Sequence, residues 1–162
     1  MKRATTRLDD AIRQFDELGS SRRRDDRGYV VVRVHDPADP VVLWNAFVAL
    51  LSHSAADELH PAQADAWWAF RYESCVQNGG HELFLDQYAA SGGEAAVKAL
   101  RALGAEAQAG LLRTALSRSG EPSQDTRDFG DLDAAFGVAS PTIAKILEGV
   151  LAQRLGDFVE VA

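Results

Sequence analysis

The chain holds one cysteine, Cys75, in 162 residues. A single thiol makes neither an intramolecular disulfide nor a cysteine-based zinc site, which fits a reducing cytosol and a buried, hydrophobe-like role for Cys75. Long apolar runs are missing as well. The stretch from Val41 to Leu51 is far short of the ~20 residues of a membrane span. The basic start, Met1-Lys2-Arg3-Ala4-Thr5-Thr6-Arg7, leads into a charged helical pattern without the apolar core of a signal peptide, so the expected location is cytoplasmic. Catalytic motifs are also absent: there is no HExxH pair, no Cys/His finger, no Walker loop and no GxSxG elbow. The four histidines, His35, His53, His60 and His81, are scattered. His81 and Glu82 are adjacent, so on a helix they point about 100° apart and do not converge. These absences predict a protein with no catalysis, no cofactor and no metal.

What is present is globular. Hydrophobic residues make up 46% and charged residues 25% of the chain, enough for one domain with a core and a short extension. The net charge of −7 is unevenly spread. Residues 1–33 carry nine Lys/Arg and six Asp/Glu, whereas the remainder carries eight and eighteen. Such an acidic body repels nucleic acid and attracts basic proteins, although acidity also serves solubility alone.

Hydrophobic spacing predicts an all-α, compact multi-helix domain with an N-terminal helix and one short extended segment. Leu8, Ala11, Ile12, Phe15 and Leu18 predict a helix over residues 5–18, stopped by Gly19. The arginine-rich stretch from Ser20 to Gly28 reads as a solvated linker. Tyr29-Val30-Val31-Val32-Arg33-Val34 is the one β-branched run. With no second run to pair it, it is expected to be an extended connector or a strand completed by a second copy. Asp39-Pro40 opens a helix, with Asp as cap and Pro in its first turn. A further helix runs from Pro61 to Asn78 and contains Trp67 and Trp68, read as core. Another spans about 80–90. Ser91-Gly92-Gly93-Glu94 matches a capping box that would start a new helix, ending at Gly104. Ser140-Pro141 precedes a last helix with Ile143, Ile146, Leu147, Val150, Leu151, Leu155 and Phe158 on one stripe. The expected division is residues 1–35, helix and connector, and residues 36–162, the helical body.

Two features point towards function. Asn78-Gly79-Gly80 separates two apolar helices and supplies the positive φ that ends one and redirects the chain. Glu82 and Asp86 are four apart on one helix face, about 5–6 Å apart at Cβ. Glu121, Asp125, Asp128, Asp131 and Asp133 form a second acidic run, interrupted only by Arg127. Duplex DNA presents phosphates every ~3.4 Å along each strand, and carboxylates at helical spacing approximate such a ladder.

The segment Glu73-Ser74-Cys75-Val76-Gln77-Asn78-Gly79-Gly80-His81-Glu82-Leu83-Phe84 resembles the signature of the DNA mimic protein family. The likeness continues through Ala95 to Ala105 and through Phe129-Gly130-Asp131-Leu132-Asp133-Ala134-Ala135-Phe136, covering roughly residues 60–160. His81 departs from the aromatic or apolar residue common after the glycines. The resemblance implies an all-helical, often dimeric fold without known catalysis, in which Asn78, Gly79 and Gly80 are architectural. It implies an acidic surface that binds a basic protein such as a helix-turn-helix transcription regulator, with no direct nucleic-acid or membrane contact. The expected partner-facing carboxylates are Glu82, Asp86, Asp125, Asp128, Asp131 and Asp133. Two alternatives stay open: an immunity- or antitoxin-like protein that blocks an enzyme, and a small-ligand or enzyme site near His81 and Glu73.

Overall fold

The computed structural model describes residues 2–120 and 128–162, with side chains from Asp9 onward. The described residues form α1 (Lys2–Ser20), β1 (Arg22–Arg24), β2 (Val30–Val34), α2 (Pro40–His53), α3 (Pro61–Ala102), α4 (Glu106–Ser119), α5 (Gly130–Val138), α6 (Ile143–Gln153) and β3 (Val159–Val161). Short 3₁₀ turns lie at Ala56–Glu58 and Leu155–Asp157. The architecture is mostly helical, as the apolar spacing predicts. Among the described residues no single helix is long and apolar enough to cross a membrane. The chain divides into two compact units: residues up to Gln63 with Glu148–Ala162, and Ala64–Leu147.

In the first unit the predicted lone strand has two neighbours. β1 pairs antiparallel with β2, Arg23 opposite Val31, and β3 pairs parallel with it, Arg33 opposite Glu160. This corrects the expectation of a connector or a strand completed by a second copy. β1 and β3 have three residues each, too short to show a period of two, and β1 is all arginine. Its charge is placed rather than solvated: Arg22 donates to Ser54 Oγ at 2.8 Å and Arg23 forms an ion pair with Glu160. Val30, at the end of β2, is completed by a side chain. The buried Gln63 amide donates to Val30 O at 2.7 Å and accepts from Val30 N at 3.2 Å. It thereby supplies both bonds that a further strand would make.

The α2 start follows the sequence: Asp39 accepts from Val41 N at 2.8 Å, with Pro40 in the first turn. Gly19 does not stop α1, which runs through Ser20. A Cβ there would stand 2.5 Å from Cγ of His53, so this glycine admits a neighbouring ring. The last stripe is also shorter as a helix than it reads. α6 ends at Gln153, and Phe158 reaches the core from beyond the 3₁₀ turn, meeting Phe47 edge-on at 4.8 Å.

In the second unit α3 continues past Ser91-Gly92-Gly93-Glu94 without a new start, which corrects the capping-box reading. Both glycines are packing residues. A Cβ on Gly92 would collide with the Trp68 ring, and one on Gly93 would stand 2.6 Å from Leu116 Cδ2. Trp68 is held by Trp67 and Tyr88, whose ring centroids lie 4.8 and 5.8 Å away. α3 ends as expected: Gly104 has φ 80°, Gly104 N bonds Arg101 O at 3.0 Å and Ala105 N bonds Leu100 O at 2.8 Å. This is the Schellman pattern, which satisfies the last carbonyls of the helix.

Two glycine substitutions should move stability in opposite directions. Gly92→Ala gains about 1 kcal/mol of helix propensity but loses more to the Trp68 collision, for a net destabilisation of about 1–2 kcal/mol. Gly110→Ala, inside α4 with no atom within 4 Å of its Cβ, should stabilise by about 0.5–1 kcal/mol. Urea unfolding with unchanged slopes checks both.

Candidate functional site at the glycine break

The site begins with two residues that leave the helical backbone. Gly79 lies at φ −161°, ψ 17°, and Gly80 at φ 72°, ψ −173°. Only Gly80 occupies the positive region that a side chain disfavours. Asn78 Nδ2 donates to Ser74 O at 2.7 Å, satisfying a carbonyl of the outgoing helical arm. The incoming arm starts at His81, whose backbone N–H donates to Asp133 Oδ1 at 2.9 Å. Asp133 belongs to α5, so the N-terminus of this arm is capped from 52 residues away. A Cβ at Gly80 would collide with the same carboxylate, at 3.0 Å from its Cγ. The second glycine is therefore required twice, by its φ and by Asp133.

The His81 ring extends the chain of bonds. Nδ1 meets Asp133 Oδ1 at 2.6 Å and Nε2 meets the Tyr72 hydroxyl at 2.7 Å. A neutral imidazole satisfies both contacts when Nδ1–H donates to the carboxylate and Nε2 accepts from the phenol. Burial, with a smaller contribution from the Asp133 charge, pushes the Tyr72 phenol above its ordinary range, so it remains a donor. Tyr72 packs edge-on against Phe84 and Phe136, at 5.3 and 5.5 Å. Both His81 and Tyr72 have 0% exposure. The Tyr72–His81–Asp133 chain is an internal tie between α3 and α5.

Beside it lies a cleft of about 270 Å³, walled by Glu73, Gln77, Gln108, Asp133, Phe136 and Thr142 among others. His81 is not part of its wall; Glu73 is. Glu73 Oε1 accepts from Ala144 N at 3.2 Å and from Gln77 Nε2 at 3.3 Å. Burial raises the Glu73 carboxyl pKa, and the Ala144 N–H offsets part of that rise. Among the described residues no group of His, Cys, Asp or Glu is arranged to hold a metal ion.

The six acidic residues singled out in the sequence fall into different settings. Glu82 and Asp86 are exposed on the second arm of α3. Asp128 is exposed and accepts from Gly130 N at 2.9 Å. Asp131 is bound by Arg118 through two bonds of 2.6 and 2.7 Å, and this pairing holds its carboxyl down at about 2. Asp133 is committed through one oxygen to His81. Asp125 lies outside the described residues. The partners of Asp133 and Asp131 were missed in the sequence because they lie 52 and 13 positions away, beyond any helical periodicity.

A family model described as DMP19-like protein matches residues 57–159, well over half of the chain. The chain belongs to the DMP19-like protein family. The matched region holds the whole Asn78–His81 break, Tyr72 and Asp133, so the tie lies within the part shared with the family. Neither a curated protein nor a solved structure matches the chain. Across the DMP19-like region there are fifteen acidic and eight basic residues.

Removing the cap should be costly. Asp133→Ala leaves the His81 N–H and Nδ1–H without their acceptor and should destabilise by about 2–4 kcal/mol. Asp133→Asn keeps an acceptor oxygen and should lose less; chemical unfolding separates the two. The Asp131–Arg118 pair has a distinct pH signature. Its carboxyl is depressed in the folded state, so its stabilisation is complete above the ordinary value near 3.8 and disappears as pH falls through about 2. Asp131→Asn should flatten the stability–pH curve in that window, measured by thermal melting from pH 2 to 5.

Proposed function

We propose that this chain is a non-enzymatic interaction protein whose acidic surface occupies the DNA-binding face of a basic regulator, of the helix-turn-helix kind. The observation that carries the reading is the DMP19-like match over residues 57–159, a region with nearly two acidic residues for each basic one. The resemblance of the same region to DNA mimics supports it. Exposure of Glu82, Asp86 and Asp128 supports a carboxylate surface that a cationic groove can approach. The internal pairing of Asp131 assigns it a smaller share, since Arg118 already neutralises it.

Capture of partners from host lysate on the tagged protein tests this reading. A basic DNA-binding protein should elute as salt rises, and duplex DNA should compete for it. Glu82→Lys and Asp86→Lys should each weaken capture by about fivefold at low salt, roughly 1 kcal/mol. Asp131→Asn should weaken it less. Salt-resistant capture of an enzyme that binds no DNA would overturn the proposal in favour of an immunity-like role.

A further inference from the structure

The cleft beside the glycine break has a polar wall built from half-used acceptors. Glu73 gives Oε1 to two N–H donors, and Asp133 gives Oδ1 to His81. Among the described residues no donor bonds to Glu73 Oε2 or Asp133 Oδ2. Gln108 repeats the pattern independently of charge. It is only 2% exposed, and its Nε2 donates to Pro141 O at 2.7 Å. A carbonyl accepts only, so this bond fixes the orientation of the amide and leaves Oε1 without a donor among the described residues. Gln108 Oε1 is not among the buried polar atoms left without a partner, so water in the cleft reaches it, and a donor from a ligand would replace that water.

Of the other polar groups of the wall, Gln77 gives one of its two amide hydrogens to Glu73 Oε1, and Thr142 Oγ1 accepts from Lys145 N at 3.2 Å; among the described residues neither donates to Gln108 Oε1. Two carboxylates and a side-chain amide on the wall of one cleft call for a cation with several N–H groups. Val76, Phe136 and Ile143 line the same cleft and suit a hydrocarbon stem below a charged head. The volume, about 270 Å³, lies just below the roughly 300–1,000 Å³ range of small-molecule sites, which fits one side chain better than a cofactor.

We propose that this cleft receives an arginine side chain of the basic partner, its guanidinium bonded to Glu73 Oε2, Asp133 Oδ2 and Gln108 Oε1. Guanidinium matches the wall because it carries five donors in a fixed fork and no acceptor. The assignment rests on the basic-partner reading for the source of the arginine, and on the cleft alone for the chemistry. The raised carboxyl of Glu73 agrees with it: burial disfavours a charge that no cation among the described residues pairs with, and a bound guanidinium would lower it.

The test uses the full chain and no partner. N-acetyl-arginine N-methylamide is titrated against it, with its neutral citrulline counterpart as control, while the side-chain amide resonances of Gln108 and Gln77 are followed by NMR. The arginine compound should shift them in a saturable way and the citrulline compound should not. Glu73→Gln should weaken the interaction by about tenfold, the loss of one charged hydrogen-bond partner. It removes a charge that burial penalises, so the variant should melt no lower than the parent near neutral pH. Gly137→Leu is the second variant. A Cβ at Gly137, on the cleft wall, meets no atom within 4 Å, so it should block the cleft, abolish the shifts and leave the fold intact. Absence of shifts, equal shifts with citrulline, or shifts that survive both variants would overturn the assignment. Failure here with salt-labile capture retained would remove the arginine cleft and leave the acidic-surface reading standing. Saturable arginine binding with no basic protein captured would keep the cleft and remove that partner.

Discussion

One carboxylate oxygen determines the geometry on which the matched region depends. Asp133 Oδ1 accepts from the backbone of His81 and from its ring, and the ring in turn holds the Tyr72 hydroxyl. Through these contacts α5 fixes the start of one helical arm and the side of the other. An uncapped helix start leaves backbone N–H groups without partners, and a buried imidazole needs a partner at each nitrogen. A single acid meets both requirements. Gly80 follows as a necessity, because the carboxylate fills the space where a Cβ would be and because φ is 72°. The motif Asn78-Gly79-Gly80-His81 is thus one half of a joint whose other half is Asp133.

The same arrangement separates acids that hold the fold from acids that face outward. Asp133 and Asp131 are structural to different degrees, the first through His81 and the second through Arg118. Glu82 and Asp86 sit on exposed helix surface, where charge changes association rate and salt dependence more than stability. A run of carboxylates in the sequence is therefore not one surface. Its members differ in setting: Asp131 is paired with Arg118 and Asp133 is bound to His81, whereas Glu82 and Asp86 are exposed.

Much of the fold was legible in the sequence. The α2 cap, the break at Asn78-Gly79-Gly80 and the stop at Gly104 each rest on local chemistry, and local chemistry is what a sequence displays. The failures share a cause. Gly19, Gly92 and Gly93 read as punctuation, yet they give room to His53, Trp68 and Leu116, none of which is near them in sequence. The sheet was hidden because its outer strands are too short to alternate and because Gln63, a side chain, completes β2. At the site, Glu73 and the glycines were visible as candidates. Gln108 was not, since a lone glutamine in a helix carries no signal until its amide is seen anchored to Pro141.

Glu73 and Asp131 show why the cleft differs from the rest of the acidic surface. Asp131 has its cation, and its carboxyl is held low. Glu73 is more buried, has no cation among the described residues, and its carboxyl is pushed up. A group optimised only for folding would be apolar or paired, because a partly buried lone charge costs stability. Glu73 is tied in place by Ala144 and Gln77, so its position is defined while its charge is left unspent. Gln108 repeats that economy with a neutral group. Side chains fixed at one end and open to solvent at the other are pre-organised for a donor from outside, since binding then orders nothing further on the protein. The tie between α3 and α5 thus has a second consequence: by holding Asp133 in place, it sets one wall of the cleft proposed to receive a cation.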